Sequence, residues 1–382
     1  MNVPLGPAPS NRLADLDISL IRQLSEGAEA EAVPLGIGEP TWDLPAPGRD
    51  ILRQWTGRCP YGAGTGLPEL RQAVAEFYRA TFDETLITCG SVGALFSIMQ
   101  AWVAPGDSVL IPDPGFVTYR NLVRFAGGIP VEYPLYEHNR YRLDPDQIFR
   151  WLDHHRIKMV ILNHPSNPTG AFASPEALAT VASACEKRGV ILISDEVYRD
   201  LYLTAPPASL RDVSSYGIVI SSVSKAWGAP GLRVGWAVGD PAILAPAATI
   251  HSYATTSPSY ICQKAAAALI QNSEQILPQA REELSARWKA MHRGLADHFS
   301  IDAPAPDGAF YYLLKLPAHA HADPMAFAIR LRDEAKVVTI PGLAFGEGGR
   351  QYLRVSFAAR PDQISEGISR IAPYWRETPG RP

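Results

Sequence analysis

Hydrophobic residues in the middle of the chain come in short, dense runs, set among stretches where they recur every three or four positions. The dense runs are Ser108-Val109-Leu110-Ile111, Lys158 to Leu162, Val190 to Ile193, Ile218-Val219-Ile220 and Arg233 to Val238. They are rich in β-branched residues and too short for buried helices, so they predict strands covered on both faces, as in a parallel sheet. Leu67 to Phe82 and Pro175 to Lys187 read as helices around them. This order predicts an α/β fold, a mostly parallel sheet between helices that takes its ligands beyond the carboxyl ends of the strands. A longer helical pattern, Ser273 to Phe299, leads out of that unit, and the mixed strands and helices of Ile301 to Tyr374 predict a smaller α+β domain. The expected division is a segment 1–42 that packs with the small domain, a large domain 43–280 and a small C-terminal domain 281–382.

The ends of the predicted strands carry the candidate chemistry. Val190 to Ile193 runs into Ser194-Asp195-Glu196-Val197-Tyr198, an acid at a strand end. Met159 to Leu162 is followed by Asn163-His164-Pro165-Ser166-Asn167-Pro168-Thr169-Gly170, where Pro and Gly break the chain and leave a side-chain amide. Ile87-Thr88-Cys89-Gly90-Ser91-Val92-Gly93 reads as a strand end, a small-residue turn and a helix start, whose free N–H groups suit a phosphate. In Ser222-Val223-Ser224-Lys225-Ala226-Trp227-Gly228 a lysine stands among small residues, with Arg233 downstream. Tyr352 to Phe357 alternates, with Leu353, Val355 and Phe357 on one face and Arg354 and Ser356 on the other, and a guanidinium fork matches a carboxylate. Each of these has a plain structural counterpart: a turn acid, an Asn-Pro turn, a solvated arginine. In this order along one chain they read as parts of one site.

The segment Ser222 to Gly235 resembles the lysine signature of the pyridoxal-phosphate-dependent class I/II aminotransferases of fold type I, which are aspartate aminotransferase-like. The resemblance runs from about Gly36 to Arg360. It implies a large cofactor-binding domain with a mostly parallel sheet of the seven-stranded type, plus a smaller α+β domain. It implies pyridoxal 5′-phosphate as cofactor, held by Lys225 as a Schiff base, with Asp195 on the pyridine nitrogen and Tyr198 and Asn167 at the phenolic oxygen. The phosphate falls to Gly90, Ser91 and Val92, largely through the backbone, and to Ser222, Ser224 and Arg233; Phe116 stacks on the ring. Arg354 takes the substrate α-carboxylate, which Asn167 and the backbone of Gly38 also approach. Lys225, Asp195 and Tyr198 are the implied catalytic residues. Tyr61 matches a tyrosine that reaches the phosphate of a neighbouring subunit, so a homodimer with shared active sites is implied. The reaction implied moves an amino group between an α-amino acid and a 2-oxo acid by a ping-pong mechanism. β-Lyases, decarboxylases and amino-acid cyclases use the same fold and lysine, and the motifs do not separate them. His164 and Gly115-Phe116 depart from the more usual residues of the family.

Composition narrows the partners. The chain is 46% hydrophobic and 19% charged, with a formal charge of −4, which gives no electrostatic footprint for nucleic acid. No apolar run approaches the roughly 18 residues that span a bilayer, and the N-terminus lacks the pattern of a secretory signal. Four scattered cysteines without C-x-x-C spacing predict reduced thiols and a cytoplasmic location. His154-His155 and His319-Ala320-His321 lack metal-ligand spacing, so no metal is expected.

Overall fold

A computed structural model describes residues 19–376. The Pro-rich ends Val3 to Ser10 and Pro379 to Pro382, which read in sequence as frayed, lie outside the described residues. The strands are β1 (Val33–Pro34), β2 (Thr85–Thr88), β3 (Ser108–Asp113), β4 (Ile129–Pro134), β5 (Ile157–Asn163), β6 (Ile191–Asp195), β7 (Ile218–Ser222), β8 (Gly235–Val238), β9 (Tyr311–Lys315), β10 (Val337–Val338), β11 (Ile340–Pro341) and β12 (Tyr352–Ser356). Seven of them form one sheet in the order β2-β8-β7-β6-β5-β3-β4. Only β8 runs against its neighbours; the other pairings are parallel.

The dense apolar runs become the centre of this sheet because successive side chains point to opposite faces, and both faces need covering. Leu110, Val160, Leu162, Leu192 and Val219 join one hydrophobic core, while Ile111, Ile161, Ile193, Ile218 and Ile220 join a second. Helices supply the cover. Pro175–Arg188 is an example: the Ser174 side chain accepts from the Ala177 N–H at its start, and Gly189, at φ 63°, stops it in the left-handed conformation. The helix read as Leu67 to Phe82 is shorter, Pro68–Phe77, because the chain turns left-handed at Arg79. Strand β8 starts two residues later than read, since Arg233 is also left-handed, at φ 54°, after a tight turn at Pro230–Leu232. Strand β4, bounded by prolines and lying at the sheet edge, gave no clear sequence pattern.

A second set of elements follows the helix Ser273–Phe299. Strands β11, β12 and β9 form an antiparallel sheet in that order, and β1 pairs in parallel with β10, bringing residues 33–34 to residues 337–338. Asn163 and Asp195, the last residues of β5 and β6, are register partners, so the predicted strand-end groups open on one edge of the large sheet. No helix among the described residues is long and apolar enough to cross a membrane.

Candidate active site

A cavity of about 220 Å³ lies at that edge, and all the residues singled out in sequence line it except Gly90 and Tyr61. Lys225 enters from the turn after β7, and its Nζ donates to the Gly38 carbonyl at 2.5 Å. Its pKa is lowered to about 8, by burial first and then by the positive charge of Arg354. Asp195, 3% exposed, accepts from the Tyr119 hydroxyl on Oδ2 at 2.7 Å and from the Val197 N–H on Oδ1 at 3.2 Å. Burial still pushes its pKa up to about 6 against those donors and Lys225. A buried acid so placed is short of a cation, and a protonated ring nitrogen supplies one.

The opposite end is built for an anion. No side chain caps the first turn of the helix Gly90–Trp102, which leaves its N–H groups to a ligand. Gly90 has φ 70°, a conformation that favours glycine, and a Cβ there would stand 2.6 Å from the Arg233 guanidinium and displace it. Ser222 and Ser224 are buried beside this turn, the Ser224 N–H donating to Ser222 Oγ at 3.3 Å. A lysine amine, a counter-ion for a ring nitrogen and a phosphate cup in one cavity fit the donor set that pyridoxal phosphate requires.

Phe116 lines the cavity and meets Tyr119 edge-on, with ring centroids 5.6 Å apart. Asn167 is tied down by its backbone N–H, which donates to Asn163 Oδ1 at 2.8 Å; its own Oδ1 accepts from Arg354 Nη1 at 2.9 Å, so the NH₂ end remains to donate. Arg354 is 1% exposed and lies between the rings of Tyr311 and Phe345, 4.4 and 4.5 Å from their centroids. Its Nη2 donates to the Gly36 carbonyl, and its buried Nε has no partner among the described residues. The Tyr198 and Tyr311 hydroxyls pair at 2.8 Å. A Cβ on Gly38 would lie 1.7 Å from Tyr311 Oη, so this position admits only glycine. Tyr61 is 86% exposed and does not line its own chain's cavity.

The sequence profile described as aminotransferase class I and II matches residues 33–371. The chain belongs to this family. It is a pyridoxal-phosphate-dependent aminotransferase, and its reaction moves an amino group between an α-amino acid and a 2-oxo acid. The aspartate/prephenate aminotransferase of Thermus thermophilus is 32% identical over 90% of this chain and 90% of its own length. The solved aspartate aminotransferase from Thermus thermophilus with maleate superposes with a TM-score of 0.87 at 30% identity, over 96% of this chain and all of that one. The aromatic aminotransferase from Pyrococcus horikoshii does so with a TM-score of 0.82 at 29% identity, over 93% of this chain and 98% of that one. Within this aminotransferase, the sequence alone does not mark Tyr119, Asn163 or Tyr311 as site residues. Their partners Asp195 and Tyr198 are 76 and 113 positions away, so no local pattern marks Tyr119 or Tyr311. Asn163, beside Asn167 in the same broken segment, could have been found as a second amide at the strand end.

Proposed function

We propose that Lys225, Asp195 and Arg354 carry transamination in this chain, with the cavity at the carboxyl ends of the large sheet's strands as the active site. The observation that carries this reading is the convergence of these three groups, from three separate stretches of sequence, on one cavity. When bound, the cofactor supplies an electron sink that stabilises negative charge at the substrate α-carbon. Asp195 would hold its carboxylate against the ring nitrogen and keep that nitrogen protonated, and Tyr119 and the Val197 N–H orient the carboxylate. Gly90, Ser91, Val92, Ser222, Ser224 and Arg233 would hold the phosphate; Phe116 would bound the ring face, and Asn167 and Tyr198 would donate to the phenolic oxygen. The Lys225 amine, with its lowered pKa, would accept the α-proton at Nζ as general base and give it up again as general acid. Arg354 would bind the α-carboxylate, which the backbone of Gly38 also approaches. The relatives are named for aspartate, prephenate and aromatic substrates, which differ in side chain but share that carboxylate. Following the amine-donor half-reaction by absorbance with each common amino acid tests the assignment of class, and no half-reaction with any of them would overturn it.

Asp195→Ala is expected to keep the cofactor bound, because the phosphate cup is intact, and to slow the chemical step by roughly a hundredfold, about 3 kcal/mol. Single-turnover rates near wild type would reduce Asp195 to a turn residue.

We further infer that the working unit is a homodimer in which Tyr61 reaches the partner's phosphate. An exposed tyrosine on a Gly-rich loop, outside its own cavity, supports this. Mixing Tyr61→Phe with Lys225→Ala subunits tests it. Shared sites give mixed dimers with one intact site and one doubly lesioned site, so wild-type-like cofactor affinity and turnover return at half the sites. If every site keeps one lesion and nothing returns, the sites are independent. The division into a large domain 43–280 and a small domain 281–382 joined by residues 1–42 is supported by the pairing of β1 with β10. A cytoplasmic location is supported by the four free cysteines.

A further inference from the structure

His251, on the helix Pro241–Thr255, takes no part in the chemistry above, yet it is 1% exposed and lies behind the anion-binding turn. Its Nε2 accepts the backbone N–H of Cys89 at 3.1 Å. Cys89 immediately precedes the helix Gly90–Trp102, and its own side chain makes no capping hydrogen bond. A Cβ on Gly93 would stand 3.9 Å from the same nitrogen, so the imidazole backs the whole first turn. The Thr255 hydroxyl, 3.4 Å from Nε2, has a closer acceptor in the His251 carbonyl at 3.1 Å. A Cβ on Gly64 would be 3.4 Å from Ser252 Cβ and 3.5 Å from the Thr256 carbonyl, so the loop that bears Tyr61 rests on this helix end.

We propose that His251 is a positioning residue for the cofactor phosphate: by accepting from Cys89 it fixes the direction of the Gly90, Ser91 and Val92 N–H groups. The inference rests on the reading of that turn as the phosphate site. A donor at Cys89 requires a lone pair on Nε2, so the ring is neutral with its proton on Nδ1. Burial favours the same neutral form. The N–H groups at a helix start have no carbonyl of their own helix to bond. Without His251, the part-buried Cys89 N–H loses its acceptor, and the turn relieves that cost by rotating away from its phosphate-binding orientation.

The test titrates cofactor-free protein with pyridoxal phosphate and with pyridoxal, which lacks the phosphate, and compares the two dissociation constants. The variants are His251→Leu, His251→Asn and His251→Gln. A Gln amide oxygen reaches the position of Nε2, whereas an Asn amide ends near Nδ1 and leaves Cys89 without an acceptor. His251→Leu and His251→Asn are expected to weaken pyridoxal phosphate roughly tenfold and to leave pyridoxal nearly unchanged, with His251→Gln close to wild type. If His251→Leu does not fold, the Asn and Gln pair carries the same comparison. Equal weakening of both ligands, or a Gln variant as weak as Asn, assigns His251 a packing role and overturns the proposal. Arg233→Ala is the control for the underlying reading. If it too leaves the ratio of the two constants unchanged, the phosphate does not bind here; if it changes the ratio while the His251 variants do not, only the positioning role falls.

Discussion

Lys225→Ala is expected to lower kcat by roughly 10⁴-fold or more, the largest effect of any single change in this chain. Lys225 is the one lysine lining the cavity among the described residues, so no second amine stands ready to replace it. Its Nζ lies 5.7 and 5.8 Å over the rings of Tyr198 and Phe310, walls that exclude water and lower its pKa toward 8. At neutral pH a larger fraction of this amine is therefore unprotonated than of an ordinary lysine, which is what both attack on a carbonyl and proton transfer require. Lys225→Arg preserves the charge but is expected to be as inactive, because a guanidinium does not give up its proton in this range. Single-turnover kinetics measure the loss. Borohydride reduction of the wild type, followed by peptide mapping, locates the pyridoxyl group. A label on another lysine, or none, would remove Lys225 from the centre of the mechanism.

The same residue shows what a linear sequence reveals of a site. Lys225, Asp195 and Asn167 were legible because each follows a strand whose apolar run is itself conspicuous, and strand ends on one edge of a parallel sheet must meet. What supports them was not legible. Tyr119 orients Asp195 and Tyr311 pairs with Tyr198, but neither contact shows in sequence until the fold closes long loops. In sequence Gly38 reads as a place for close backbone approach, and the structure adds that Tyr311 Oη fills the space a side chain would need. His164, an evident departure in sequence, turns out to face away from the cavity. Its Nε2 is 3.1 Å from Ser194 Oγ, and burial lowers its pKa to about 4, so it is a neutral packing partner behind Asp195. Element boundaries slipped where backbone conformation decided them: Arg79 and Arg233 are left-handed without being glycine, and nothing in their side chains announces it.

Arg354→Ala is expected to reduce kcat/KM for both amino acids and 2-oxo acids by about 2–4 kcal/mol, roughly 30- to 1000-fold, with little change in cofactor affinity. The guanidinium is buried, held by Asn167 and the Gly36 carbonyl and sandwiched between Tyr311 and Phe345, so its direction is set before substrate arrives. The unpartnered Nε and the remaining N–H bonds are then free to meet a carboxylate. Arg354→Lys should recover little, since a point charge on a flexible stem reproduces neither the fork nor the stacking. The α-carboxylate is common to all substrates, so the loss should be the same whatever the side chain. A loss confined to one substrate class would instead make Arg354 a side-chain recognition residue. Removal of the guanidinium also strips donors from Asn167 and Gly36, and thermal unfolding of the variant separates that cost from the kinetic one. Arg233→Ala should show the inverse pattern, a weaker hold on pyridoxal phosphate with an unchanged ratio of KM values among carboxylic acids. If the two variants behave alike, the arginine at the phosphate end and the arginine at the carboxylate end have been assigned wrongly.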